Sequence, residues 1–184
     1  MQGESSADLV RRFTRDFADF PEQGVVFKDW LPLMADPDAF TAVVEALAAP
    51  GLAGDGPDAV AVVDKVVGME SRGFLLGAPV ALALGVGFVP VRKPGKLPGE
   101  TLSVDYALEY GSATLQIQAD ALSVGDRVLV VDDVLATGGT AAATCELVRR
   151  VGAEVTALAF LMDLSFLPGR TALAGHDVTS LLTI

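Results

Sequence analysis

The chain has 184 residues, 51% hydrophobic and 20% charged, which suits one domain burying about 70% of its extended surface. A single cysteine excludes an internal disulfide, and a net charge of −11 argues against a general nucleic-acid surface. No apolar run is long enough to span a membrane, and Glu4 and Asp8 precede any apolar stretch, so no leader is expected and a soluble, cytoplasmic protein is.

Ser6 is placed to cap a first helix reaching about residue 18, with Leu9, Phe13 and Phe17 along one stripe and Pro21 as its stop. Residues 19–30 have no clear periodicity. Asp36-Pro37 opens a second helix whose apolar face is Phe40, Val43, Val44 and Leu47. After a loop at 51–57, the apolar segment 59–69 ends as a strand and delivers Glu70-Ser71-Arg72-Gly73 to a helix over 74–84. A strand follows at 87–91. The next loop carries Arg92, Lys93 and Lys96 among Pro94, Gly95, Pro98 and Gly99, as a mobile basic lid would. A hairpin through 106–110 and 113–117, a strand at 128–131, a helix over 141–151 and strands at 155–161 and 178–182 complete the chain. Strands alternating with helices predict an α/β fold with a mostly parallel sheet in one domain over 1–184. Cys145 reads as a small core residue, and His176 as a surface or strand residue rather than a catalyst.

The most informative segment is Val128-Leu129-Val130-Val131-Asp132-Asp133-Val134-Leu135-Ala136-Thr137-Gly138-Gly139-Thr140. An aliphatic run of this kind is a strand buried on both faces, and open α/β sheets bind ligands at the carboxyl ends of such strands. Asp132 and Asp133 can accept hydrogen bonds from vicinal sugar hydroxyls or hold a hydrated divalent cation. Gly138 and Gly139 permit positive φ and close backbone approach. The unpaired amides of the helix start, with the hydroxyls of Thr137 and Thr140, would hold a phosphate monoester. No Lys follows Gly139-Thr140, which excludes a Walker A loop, and Gly85-Val86-Gly87-Phe88-Val89-Pro90 breaks the dinucleotide pattern. Glu70-Ser71-Arg72-Gly73 repeats the strand-to-helix logic with a cation added, which suits a pyrophosphate. The net charge repels a polyanion at long range, so the attraction falls to Arg92, Lys93 and Lys96.

The acid pair and cradle resemble the 5-phosphoribosyl-1-pyrophosphate (PRPP) motif of type I phosphoribosyltransferases. Phe20-Pro21, Val25-Val26-Phe27-Lys28-Asp29, Arg92-Lys93-Pro94-Gly95-Lys96 and Leu108-Glu109-Tyr110-Gly111 narrow the resemblance to the adenine phosphoribosyltransferase family over about residues 9–170. That resemblance implies a type I phosphoribosyltransferase fold, a mostly parallel twisted sheet flanked by helices, with an N-terminal hood at about 19–36 and a lid at about 92–108. It implies transfer of phosphoribose from PRPP to N9 of adenine, giving AMP and pyrophosphate in purine salvage. Mg²⁺ would be carried by PRPP and bridged by water to Asp132 rather than bound directly. Ala136, Thr137, Gly138, Gly139 and Thr140 would hold the 5′-phosphate, with Asp132, Asp133, Ser71, Arg72, Arg92, Lys93 and Lys96 on the rest of PRPP. Phe27 would pack on the purine, the backbones of Val26 and Lys28 would read its edge, and Leu164 would close the other face. Glu109 would handle a purine proton or stabilise developing charge. The expected assembly is a homodimer with no nucleic-acid or membrane partner. Trp30 and Leu76 depart from the family's commonest residues and read as packing changes. The alternatives are a phosphoribosyltransferase for a 6-oxopurine or orotate, and a non-catalytic PRPP-sensing regulator. A regulator would carry a DNA-binding module and lack the lid cations.

Overall fold

In the computed structural model, which describes residues 4–54, 56–107 and 111–184, the first helix is α1 (Ser6–Phe13). Its cap is Ser5 rather than Ser6, with the Ser5 hydroxyl accepting from the Asp8 amide at 3.2 Å. The helix stops well short of residue 18. Thr14 turns extended, and β1 (Arg15–Ala18) pairs antiparallel with β2 (Val26–Asp29). Phe17, expected on a helical stripe, therefore lies exposed on a ribbon. The cause lies in the turn that follows: the Asp19 carboxylate accepts from the Gly24 amide at 2.8 Å, closing the turn that returns a partner strand to residues 15–18.

α2 (Leu31–Met34) leads to α3 (Pro37–Ala48), where Asp36 accepts from the Ala39 amide at 3.0 Å and Pro37 opens the helix as expected. Val43, Val44 and Leu47 are buried, and Phe40 packs against the same core. The short strands β3 (Leu52–Ala53) and β4 (Val60–Ala61) pair across the predicted loop. β5 (Lys65–Met69), α4 (Arg72–Leu84) and β6 (Gly87–Val91) then form a parallel βαβ unit. A hairpin of β7 (Thr101–Ala107) and β8 (Ser112–Gln118) precedes β9 (Arg127–Leu135) and α5 (Gly139–Val151). β10 (Glu154–Asp163), α6 (Gly169–Ala172) and β11 (Val178–Thr183) finish the chain.

The central sheet has the order β11-β10-β9-β5-β6 with every pair parallel. β5 leads through α4 to the strand on one side of it, and β9 through α5 to the strand on the other. The loops leaving β5 and β9 therefore diverge, and a crevice opens where the strand order reverses. Both faces of the sheet are covered. Val128 and Val130 face the core beneath α5 and the hairpin, while Leu129 and Val131 face the core beneath α1, α3 and α4. This alternation is why the strand is aliphatic at every position.

Two boundaries differ from expectation in ways that matter for the site. β9 continues through both acids to Leu135 instead of ending at residue 131. The hairpin begins at Thr101, so the segment expected to be a lid as far as 108 is loop only to about residue 100. Val104 is buried, with Leu102 and Tyr106 packed on the same core, an alternation that fixes the strand. Replacing the cap of α3, Asp36→Ala, is expected to lower stability by about 1 kcal/mol with an unchanged m-value in urea unfolding.

Candidate active site

The two acids of β9 have different surroundings. Asp132 lines a cavity of about 70 Å³ shared with Phe160 and the cradle residues Ala136, Thr137, Gly138, Gly139 and Thr140. Burial, and then the charge of Asp133, push its carboxyl well above the ordinary carboxylate range. Asp133 is buried on the far side. Its Oδ2 accepts from the indole Nε1 of Trp30 at 2.9 Å and lies 2.9 Å from Nε of Arg72.

The cradle is braced by backbone. Gly138 precedes α5 at φ +83°, and no side chain caps the helix start, whose first amides have no intrahelical partner. A Cβ on Gly138 would lie 2.8 Å from the carbonyl oxygen of Gly169, and one on Gly169 would lie 2.5 Å from the carbonyl oxygen of Ala136. Asp163 fixes that neighbouring segment through Arg170, whose Nε donates to it at 2.6 Å. Gly139 differs from expectation: it has no positive φ, and a Cβ there would meet only the ring of Tyr106 at 3.2 Å within the closest shell. Tyr106 brings the hairpin over the cradle, its hydroxyl oxygen accepting from Thr140 Oγ1 at 3.4 Å.

The carboxyl end of β5 meets this cavity from the side. A Cβ on Gly73 would fall 2.7 Å from Asp132 Oδ1, so the missing side chain is what lets the first turn of α4 approach the acid. Ser71 is exposed at the start of that helix. Glu70, largely buried, ties down the basic loop. It pairs with Arg92 Nε at 3.2 Å, accepts from the Lys93 amide at 3.2 Å and contacts the Lys96 ammonium. Burial alone would raise its carboxyl, but the bonds from Lys96, Lys93 and Arg92 outweigh this and hold it below its ordinary range. Of the three expected cations, only Lys93 has no ion-pair partner among the described residues.

Arg72 is engaged by Asp133 and Phe27. Its guanidinium lies 4.8 Å over the ring of Phe27, which meets Phe20 edge-on at 5.1 Å. The guanidinium expected to fork a pyrophosphate is engaged here by the buried Asp133 charge, which demands a countercharge on its own side. Val26 is exposed, and the Lys28 ammonium is bonded to Asp16 at 2.7 Å. Asp29 sits below its ordinary carboxylate range because Arg15 hydrogen-bonds it. Leu164 is half-buried at the end of β10, its amide donating to the Leu135 carbonyl at 3.0 Å. Glu109 lies outside the described residues. Cys145 is buried, its thiol pushed up to about 11 by burial, and His176 is exposed. Glu70, Tyr106, Gly169 and Trp30 escaped the sequence reading as site residues. Glu70 has a signal, as the residue at the head of the Ser71-Arg72-Gly73 turn, and Trp30 has one, as a departure from the family's commonest residue.

A glycine-lined cradle after one strand, with a Ser-Arg turn after its neighbour, is the plan of a phosphoribosyltransferase. Residues 55–167 match the model of the phosphoribosyl transferase domain. An adenine phosphoribosyltransferase of Nocardioides sp. is 64% identical over 169 residues, covering 92% of this chain and 90% of its own. The crystal structure of the adenine phosphoribosyltransferase of Thermoanaerobacter pseudethanolicus superposes with a TM-score of 0.87 at 48% identity, covering 95% of this chain and 98% of its own. That of Saccharomyces cerevisiae, solved with adenine and an imino-altritol bisphosphate, gives 0.86 at 42% identity over 96% and 98%. The chain belongs to the adenine phosphoribosyltransferase family.

Gly138→Ala is expected to destabilise the protein by roughly 1–2 kcal/mol from the left-handed conformation alone, and further from the contact with Gly169. Gly139→Ala needs only a small shift of the Tyr106 ring. Thermal melts should rank Gly138→Ala well below Gly139→Ala, and equal midpoints would contradict the bracing described.

Proposed function

We propose that the protein transfers the 5-phosphoribosyl group of PRPP to N9 of adenine, releasing pyrophosphate and forming AMP. The observation that carries this reading is the convergence of the 70 Å³ cradle, Asp132 and the Arg72–Phe27 stack at the ends of two adjacent strands. Each suits one part of the reactants. The cradle takes the 5′-phosphate on amides of Gly138, Gly139 and Thr140 and on the Thr137 and Thr140 hydroxyls. Asp132 takes ribose hydroxyls. Phe27 offers an aromatic face to the purine, and Leu164 is assigned to the opposite face.

β2 has β1 as its only partner among the described residues, so alternate backbone groups along its outer edge are unpaired. We assign the backbones of Val26 and Lys28 to the purine edge. Adenine presents an amino donor beside the N1 acceptor, whereas hypoxanthine and guanine present an acceptor beside a donor. A backbone reader that fits one meets like with like in the other.

In the reaction the bond from C1′ to pyrophosphate oxygen breaks as the N9–C1′ bond forms, and the N9 proton leaves. Lys93, with Arg92 and Lys96 once these exchange Glu70 for pyrophosphate oxygens, balances the charge on the departing group. Ser71 lies beside them. Glu109 is assigned to the purine proton or the charge that replaces it. On this reading Mg²⁺ arrives on PRPP, with Asp132 as a neighbour through water. When bound, that cation would neutralise pyrophosphate oxygens. The segment at about 19–36 serves as hood on this reading, and the loop from about 92 to 100 as lid. Leu75 and Leu82, exposed on one face of α4, suit burial in a homodimer. No described helix is long and apolar enough to cross a membrane.

The deciding experiment supplies PRPP and Mg²⁺ with each purine or orotate in turn and follows pyrophosphate release. Adenine is expected to exceed hypoxanthine and guanine in kcat/KM by roughly 10⁴-fold, the discrimination available when buried polar groups would be left unpaired. Comparable values would overturn the base assignment. Glu109→Gln should lower kcat while PRPP affinity is retained, and a change in KM alone would remove the residue from the chemical step.

Asp132 supplies a pH test. Its carboxyl is raised in the free protein, and hydroxyl donors with a nearby cation favour the anion, so binding lowers its pKa and releases a proton. Affinity for PRPP with Mg²⁺ should therefore rise with pH through the free-protein pKa and level off above it. Calorimetry in buffers of different ionisation enthalpy should register the released proton, and its absence would remove Asp132 from the ribose.

A further inference from the structure

Four side chains form a continuous chain of contacts from the core to the base side of the site. Trp30 is the protein's single tryptophan and is fully buried. Its indole N–H donates to Asp133 Oδ2 at 2.9 Å, and the same oxygen lies 2.9 Å from Arg72 Nε. The Arg72 guanidinium then covers the Phe27 ring at 4.8 Å.

We infer that Trp30 is a positioning residue for purine recognition: by pinning the Asp133 oxygen that carries Arg72, it sets the guanidinium over Phe27 and so fixes the ring against which the base stacks. This rests on the proposal that Phe27 is the purine's stacking surface. The torsion that orients an aspartate carboxylate is broad, so a carboxylate loaded on one oxygen is held in place by its partners. Removing the indole donor leaves Arg72 as the partner of Oδ2 described for this oxygen, and the two are then free to turn together. Arg72 has a second anion within reach of its field, Asp29, which already pairs with Arg15. A guanidinium drawn that way no longer covers Phe27. A tryptophan that only filled the core would affect stability, without preference for one substrate.

The test is steady-state kinetics of Trp30→Phe, which keeps an aromatic ring and deletes the N–H. Loss of a hydrogen bond to a charged group, felt at the base, should raise the KM for adenine about tenfold. The KM for PRPP and kcat should stay within roughly twofold, since Asp132 and the cradle are untouched. Phe27→Ala is measured beside it. If Phe27→Ala leaves the adenine KM unchanged, the stacking assignment falls and the positioning role with it. If Phe27→Ala raises that KM while Trp30→Phe leaves it unchanged or raises both KM values alike, the positioning role alone is overturned.

Should Trp30→Phe fail to fold, the unaltered protein gives the answer through its lone tryptophan. Adenine titrated onto it, corrected for absorption with free tryptophan, should produce a saturable change in emission over the concentration range of its KM. Unchanged emission at saturating adenine would overturn the inference.

Discussion

A carboxylate buried in the middle of a sheet must be matched, because an unpaired charge there costs several kcal/mol. Asp133 is such a group, on the central strand β9, and it is matched by Trp30 from the N-terminal segment and Arg72 from α4. Three parts of the chain that are distant in sequence are thereby fastened at one oxygen. Arg72, once committed to Asp133, has its flat face available for Phe27, and the β1–β2 ribbon, whose described strands ladder only with each other, is tied to the sheet through that stack. Asp132, one residue earlier, faces the cradle cavity instead. Adjacent positions on one strand thus separate the sugar-phosphate side of the crevice from the base side.

The electrostatics follow the same local logic. A net charge of −11 repels a polyanion, yet screening confines that repulsion to about 8–10 Å near physiological salt. Inside that distance the arrangement of single charges decides. Glu70 gathers Arg92, Lys96 and the Lys93 amide around one carboxylate, so the basic loop is ordered around an anion before any substrate arrives. A pyrophosphate entering there competes with Glu70 for cations already in position. The arrangement costs some affinity and spares the entropy of ordering two long side chains at the moment of binding.

Much of this was legible in the sequence, and the parts that were not share a cause. The β9–α5 and β5–α4 turns were readable because strand, turn chemistry and helix pattern are contiguous, and the start of α3 because Asp36-Pro37 is a local signal. The β1 segment looks helical in sequence because Leu9, Phe13 and Phe17 keep a helical spacing, while the strand that claims residues 15–18 lies beyond a turn. β7 was read short because Pro98 and Gly99 mask the onset of its alternation. Trp30 read as a packing change because its hydrogen-bond partner stands 103 positions away. The need for glycine at 138 is visible in the sequence but its physical origin in the backbone of Gly169 is not, and of the Gly138-Gly139 pair only Gly138 adopts positive φ.

The two halves of the crevice are held by different means, and this bears on what each can do. The cradle is braced by backbone against backbone, Gly138 on Gly169 and Gly169 on Ala136, with no rotamers to lose and little room to give. Its shape is set by main-chain geometry, which suits an anion recognised mainly by charge and amides. The base side depends on Trp30, Asp133, Arg72 and Phe27 in series, each positioned by the one before. A serial arrangement transmits a disturbance at any member to the last, so side-chain substitutions far from the purine reach its stacking partner. The edge-reading groups assigned on β2 belong to the backbone and are insulated from such changes. On this reading, affinity for the base can be tuned through the side-chain series while the distinction between adenine and the 6-oxopurines stays with the ribbon.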